Sequence, residues 1–386
     1  MNDQEQNSTS ASDRNTNPVF PDPENFAATL QGKPVWLLSL INKNGCRADI
    51  TNYGGRIVSL SVPDKHGVFD DIVAGFHSLE EYLNSTEAFF GALIGRYANR
   101  IAGGKFVLDG VTYSLAVNNG ANHLHGGPGG FHNMVWDMKQ VTPQQAELTC
   151  LSPHMQEGYP GNLEVLVRYT LNDQNELHIE FRAETDQKTV VNFTAHPFFN
   201  LNGEGDQSIN DHILNIRAKH FTPTDQFMIP TGEIRPVEQT PMDFTGFTPI
   251  GERLGSPYDQ LKFAGGYDHN YVLIKRQGPT HPEPAASVHD PVSGRVLEVL
   301  TTEPGLQFYG GNFLNGENTG KRGKPYHKRT SFCLEPQHFP DSPNQLDFPS
   351  TLLNPDEIFT SHSVFRFSVS DHPYPDTESS GAIMNQ

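Results

Sequence analysis

Apolar and polar side chains alternate along three separated stretches of this chain. They are Leu163-Glu164-Val165-Leu166-Val167-Arg168-Tyr169, Leu177-His178-Ile179-Glu180-Phe181-Arg182-Ala183 and Val364-Phe365-Arg366-Phe367-Ser368-Val369. Successive side chains of a strand point to opposite faces, so each stretch buries one face and wets the other. Turn chemistry separates such stretches. Asn172 to Glu176 links the first two, and Asp109-Gly110 lies between Gly104–Val107 and Thr112–Leu115, where a tight hairpin is expected. Helical periodicity is scarce; the one short candidate is Ser78 to Asn84, with Ser78 as cap ahead of Glu80 and Glu81. With 35 Gly, 29 Pro and 25 Phe in 386 residues, many short antiparallel strands without intervening helices are expected. The fold class that follows is all-β, a large antiparallel β-sandwich.

The chain is long enough for a sizeable core. Residues 1–23 are rich in Asn, Ser, Asp and Gln without apolar periodicity and read as a disordered tail; 371–386 have the same polar character. The body, 24–370, shows no linker, low-complexity run or fixed-period repeat, so it is expected to be one domain. The formal charge of −18 disfavours nucleic acid and anionic membrane, which reward Lys and Arg. No stretch is apolar enough to span a bilayer, and the first twenty residues lack the basic start and apolar run of a signal peptide. A cytoplasmic protein with a small, soluble substrate is expected; oligomeric state is open. Cys46, Cys150 and Cys333 are too few and too scattered for a disulfide framework or a zinc site.

Several routes to chemistry are closed. There is no GxSxG elbow and no GxxxxGK[ST] loop, and the run Gly126-Gly127-Pro128-Gly129-Gly130 does not fit a dinucleotide fingerprint. His123-Leu124-His125 invites a metal reading, because residues two apart on a strand share a face, with His132 as a third ligand. No Glu follows at the required distance, however, and 17 histidines make chance clustering common. No metal and no cofactor are expected.

Five segments concentrate polar residues among small and aromatic ones, as a pocket wall does. They are Gly95-Arg96-Tyr97-Ala98-Asn99-Arg100-Ile101, Asn122-His123-Leu124-His125-Gly126-Gly127, Asn192 to Asn200, Gly266-Tyr267-Asp268-His269-Asn270, and Phe332-Cys333-Leu334-Glu335-Pro336-Gln337 preceded by Gln307-Phe308-Tyr309. Singly, each has a plain structural explanation: a core histidine, a turn aspartate, a surface arginine. Glu335 is the exception, since flanking Phe332 and Leu334 place its carboxylate on a partly buried face.

In their order along the chain these segments resemble the aldose 1-epimerase (galactose mutarotase) family. The similarity extends through Glu157-Gly158-Tyr159-Pro160-Gly161, Ile209 to His212, Pro230 to Glu233, Gly294 to Val299 and Gln307 to Phe313, and covers about Lys33 to Val369. The resemblance implies a mutarotase-like β-supersandwich that binds a free hexose in an open cleft. By position, His196 resembles the general acid and Glu335 the general base. Asn99, Arg100, His125, Asp268 and Gln307 match sugar-binding positions, and Arg96 reads as structural. Two departures stand out: Pro197 follows the histidine, removing a backbone donor, and Phe198 stands where tyrosine is commoner. Cys333, two residues before Glu335, is read as a buried filler.

The side chains suit that chemistry on their own terms. Mutarotation needs a base for the anomeric hydroxyl and an acid for the departing ring oxygen; histidine (pKa ~6.5) and glutamate (pKa ~4.3) supply both. Three other readings remain. A sugar-phosphate mutarotase calls for extra Arg or Lys. A glycoside hydrolase using Asp268 and Glu335 cleaves a sugar blocked at the anomeric oxygen, which a mutarotase does not touch. A non-catalytic carbohydrate-binding module lacks a working acid–base pair.

Overall fold

The structure, a computed structural model, describes residues 20–371 except 206 and 279. Of the two expected tails, 1–19 and 372–386 lie outside the described residues.

Strands dominate. The alternating stretches form Leu163–Leu171, Glu176–Thr185 and Phe359–Val369. In the first, Leu163, Val165, Val167, Tyr169 and Leu171 are all buried while Glu164 is exposed, as the period-two pattern requires. The Asp-Gly turn joins Lys105–Leu108 to Val111–Ser114; positive φ at Asp109 (50°) and Gly110 (78°) is the primed-turn conformation that matches strand twist. The short helix is Leu79–Asn84, and Ser78 Oγ accepts the Glu81 N–H at 3.3 Å.

Three sheets build the architecture. The largest has nine strands in the order Asp137–Thr142, Gln145–Ser152, Leu163–Leu171, Glu176–Thr185, Phe359–Val369, Arg295–Thr301, Glu283–His289, Ile213–Ile216 and Thr248–Pro249, each antiparallel to its neighbour. The final long strand thus lies between strands from the earlier and later parts of the chain. A second sheet runs Arg235–Pro236, Ala218–Phe221, Asp268–Leu273, Gly305–Tyr309, Cys333–Gln337. A third, four-stranded sheet comprises Leu37–Ile41, Arg47–Thr51, Arg56–Pro63 and Phe69–Asp71. Val165, Ile179 and Phe365 of the first, Phe308 and Leu334 of the second, and Leu40 and Leu60 of the third belong to one apolar cluster, giving the expected sandwich. Each such side chain removed from water contributes about 1.5–3 kcal/mol, and together they fix the faces on which polar residues are left.

Two buried polar side chains tie the loops beneath the site. Arg96 donates to Ser152 Oγ and to the carbonyls of Ser152, Pro153, Pro160 and Gly161, which confirms its structural reading. Asn192, fully buried, donates to the carbonyls of Ala98 and His338 and accepts the His338 N–H.

Candidate active site

Register on the five-stranded sheet builds one wall of the site. Gln307 stands directly opposite Glu335 on one side and Asn270 on the other, and Asp268 stands opposite Tyr309. Asp268 and Gln307 are therefore diagonal neighbours on one face, and Gln307 Nε2 donates to Asp268 Oδ1 at 2.6 Å. Cys333 and Glu335, two apart on the same strand, share that face; Cys333 is fully buried and its thiol is pushed well up by burial, as expected of a filler.

The facing wall comes from the strand pair Arg100–Ile101 and His123–Leu124. Asn99 (φ 62°) and His125 (φ 51°) both sit in the left-handed region just beyond it. His125 N–H donates to Asn99 O at 3.0 Å, and Asn99 N–H donates to His125 Nδ1 at 3.2 Å. A ring nitrogen that accepts a backbone N–H carries no hydrogen, so the neutral His125 ring bears its proton on Nε2. Arg100 is positioned by Asn119, whose Oδ1 accepts its Nε at 3.0 Å. Gly126 completes this corner; a Cβ there would lie 1.9 Å from the Gly95 carbonyl oxygen, and its φ of 82° favours glycine.

His196 follows the strand Thr194–Ala195 and is held at its backbone from both sides: its N–H donates to Ala92 O at 2.9 Å and its carbonyl accepts Gly91 N–H at 3.0 Å. Pro197 therefore interrupts no bond that fixes the histidine. Phe198 packs its ring on the imidazole at 4.8 Å and Phe89 stacks at 6.0 Å, so the apolar residue at 198 supports the ring by contact.

These walls enclose a cavity of about 280 Å³ lined by Glu87, Phe89, Asn99, Arg100, Asn119, Leu124, His125, His196, Asp268, Tyr309, Phe313 and Glu335. Of the seven residues singled out from sequence, six line it. Gln307 is absent from the lining and meets the site through Asp268. His196 Nε2 lies 3.5 Å from Glu335 Oε2, and both side chains are almost wholly buried. Glu335 Oε2 and His196 Nδ1 have no hydrogen-bond partner in the protein. Burial lowers His196 to about 3, with Arg56 adding to the effect. Burial pushes Glu335 well up, aided by the charges of Asp268 and Glu87 and opposed by Arg100. Asp268 is raised by burial against the pull of Arg100 and Gln307. His125 is held well below its usual value by burial, then by His196 and Arg100.

The shared-face reading of His123 and His125 fails. The left-handed backbone at His125 breaks the strand period, and His123 turns away to bond Tyr159 Oη and the Ala116 carbonyl. His132 is buried against Phe89, at 4.8 Å. The group that does present ligand-type atoms within 4.8 Å of one another is His125, His196 and Glu335. Its donor set fits a metal poorly, because the free nitrogen of His125 is the protonated one.

Sequence reasoning missed Glu87, Phe89, Asn119 and Phe313. All four come from loops without periodicity; the one signal was an acid in the otherwise apolar Ala88-Phe89-Phe90-Gly91 approach to the Gly95 segment.

A sequence profile described as aldose 1-epimerase matches residues 37–366. Galactose mutarotase from Bos taurus is 46% identical over 323 residues, covering 84% of this chain and 91% of the relative. Human galactose mutarotase is 45% identical with the same coverage. Aldose 1-epimerase of Escherichia coli K12 is 36% identical over 348 residues, 89% of this chain and 98% of the relative. Among solved structures, a GalM/aldose epimerase homologue from C. elegans aligns with a TM-score of 0.79 at 29% identity, covering 86% of this chain and 98% of that one. A galactose 1-epimerase from Lactobacillus acidophilus aligns at 0.77 and 27% identity, covering 89% and 97%.

Proposed function

The chain belongs to the aldose 1-epimerase family and is an isomerase acting on carbohydrates, a mutarotase; we propose that His196 and Glu335 carry its proton transfers on free hexoses such as glucose and galactose. The observation that carries this reading is the 3.5 Å approach of His196 Nε2 to Glu335 Oε2 at the buried end of a sugar-sized cavity. The anomeric and ring oxygens are both bonded to C1, so the two groups that serve them must be near neighbours.

In ring opening, Glu335 takes the proton from the anomeric hydroxyl, the C1–O5 bond breaks, and His196 protonates O5. After rotation about C1–C2 the steps reverse: His196 takes the O5 proton as O5 attacks C1, and Glu335 returns a proton to the new anomeric oxygen. One proton is shared by the pair throughout, passing between ionised Glu335 with protonated His196 and protonated Glu335 with neutral His196. Burial favours the second arrangement, the one that recloses the ring. Arg100, the Nε2–H of His125, Asn99 and Asp268 orient the sugar, with Gln307 holding Asp268.

Arg100 is the one Lys or Arg lining the cavity, against three carboxylic side chains, which disfavours a sugar-phosphate substrate. No helix among the described residues is long and apolar enough to cross a membrane. We further read the protein as acting without nucleic-acid or membrane partners, on the strength of its charge of −18, and as cytoplasmic. We also read 24–370 as one domain, supported by the nine-stranded sheet that joins its early and late strands.

Polarimetry of freshly dissolved α-glucose and α-galactose tests the assignment. Acceleration over the spontaneous rate by the wild type, lost in both His196→Ala and Glu335→Ala, supports it. Acceleration that survives either substitution removes that residue from its role.

A further inference from the structure

Two histidines meet on the outer surface of the nine-stranded sheet. On Glu176–Thr185 the buried side chains are Leu177, Ile179, Phe181 and Ala183, so Glu176, His178 and Glu180 project from the opposite face. The neighbouring strand Phe359–Val369 sets His362 directly opposite Glu180. His178 Nδ1 and His362 Nε2 come within 3.0 Å of each other, although the two residues are 184 positions apart in sequence. None of these residues lines the catalytic cavity.

The far side of the His178 ring is already arranged. Its Nε2 lies 3.1 Å from Glu176 Oε2; a carboxylate only accepts, so Nε2 carries the proton and Nδ1 of the neutral ring turns a lone pair towards His362. Glu176 is held in turn. Asn172 Nδ2, 3.0 Å from the same ring nitrogen, donates to Oε2 at 2.6 Å, and Arg366 Nε donates to Oε1 at 2.7 Å. A carboxylate on the outer N–H of an imidazole fixes its tautomer and raises the basicity of the other nitrogen, which is how metal-bound histidines are supported. Glu180, on the same face as both rings, is half-exposed and pairs with Arg168 only at 3.8 Å, so its carboxylate can turn towards them.

We propose that His178, His362 and Glu180 form a site for a divalent transition-metal ion, with Zn²⁺ the best fit. Two imidazoles on one tetrahedral ion, each nitrogen about 2.0–2.1 Å from it, hold those nitrogens about 3.3–3.4 Å apart and their ring centres about 5.2 Å apart. Here the nitrogens are 3.0 Å and the ring centres 5.2 Å apart. Rotation of the rings therefore admits the ion in place of the hydrogen bond between them, without separating the strands. His362 then carries its proton on Nδ1, Glu180 is the third ligand and water the fourth. The ion joins Phe359–Val369 to Glu176–Thr185, so it acts on stability and leaves the chemistry of His196 and Glu335 alone.

The test is thermal unfolding and calorimetric titration of the untagged protein with ZnCl₂ at neutral pH, in wild type, His178→Ala, His362→Ala, Glu180→Gln and His196→Ala. Zn²⁺ is expected to raise Tm by a few degrees in the wild type and equally in His196→Ala. His178→Ala and His362→Ala are each expected to weaken binding at least tenfold and to abolish the shift, with Glu180→Gln intermediate. No shift in the wild type overturns the proposal, and so does a shift that persists in both histidine variants. A shift lost in His196→Ala alone also overturns it, since that places the ion in the catalytic cavity. If a histidine variant does not fold, wild type against His196→Ala decides: one Zn²⁺ per chain must remain in the latter.

Discussion

Asn99 and His125 hold one another through two hydrogen bonds in opposite directions, 3.0 Å from His125 N–H to Asn99 O and 3.2 Å from Asn99 N–H to His125 Nδ1. The second bond sets the tautomer, so His125 offers Nε2–H as a fixed donor. A donor that serves the sugar equally in ground and transition states contributes to binding and leaves the chemical step alone. His125→Ala is expected to raise KM about tenfold, the equivalent of one hydrogen bond of about 1.4 kcal/mol, with kcat changed less than threefold. His125→Gln, which places an amide donor near the Nε2 position, is expected to recover part of the loss. A fall in kcat with KM unchanged assigns His125 to the proton transfers instead.

The pair His196 and Glu335 governs the pH profile. His196, lowered by burial to about 3, takes up no proton from solvent across the range where an ordinary histidine titrates; the proton it gives to O5 is the one it shares with Glu335. The kcat/KM profile is therefore expected to show no inflection near pH ~6.5. Its alkaline limb belongs to Glu335, whose carboxyl burial has raised, because losing the shared proton above that value leaves no acid for O5. An acid limb centred on ~6.5 counts against the buried pair as the titrating unit.

Glu335 also carries a stability cost. Its folded-state value stands above the unfolded one, so folding is favoured below the unfolded value (~4.3) and loses stability as pH rises towards the folded value. Glu335→Gln removes the ionisation. At neutral pH it is expected to raise unfolding stability by about 1–3 kcal/mol while abolishing catalysis, and near pH 4 the gain should vanish. Calorimetry at both values checks the sign; a variant less stable than wild type at neutral pH refutes it.

Gly126 tests the corner that orients His125. A Cβ at this position meets the Gly95 carbonyl at 1.9 Å on a backbone with φ of 82°. Gly126→Ala is expected to cost about 3 kcal/mol or more and to depress activity in whatever fraction folds. The control is Gly110→Ala, also at positive φ but with open space around it, which carries the strain alone.

Much of this architecture was written in local pattern. The period-two stretches became strands of the nine-stranded sheet because alternation alone decides which face is buried, and the parity argument that put Cys333 and Glu335 on one face held because Cys333–Gln337 is regular. The same argument failed at His123 and His125, where a left-handed residue ends the strand within two positions. Residues such as Glu87 and Asn119 gave no signal because loops bring them to the site, and the distance along the chain to Glu335 is closed by tertiary packing alone. The run Gly126 to Gly130 fitted no fingerprint because its partner is distant in sequence: Glu157 lies so close that a Cβ at Gly127 or Gly129 would meet its carboxylate at 2.3 and 2.5 Å.

The strand Phe359–Val369, set between Glu176–Thr185 and Arg295–Thr301, gives the protein a timetable as well as a shape. During synthesis the two halves of the largest sheet leave the ribosome first, each with an open edge that can accept a strand from any neighbouring chain. The keystone between them is made after both. Assembly of the sheet therefore waits for that strand, and a nascent chain stopped short of residue 359 presents two unjoined half-sheets to the quality-control machinery.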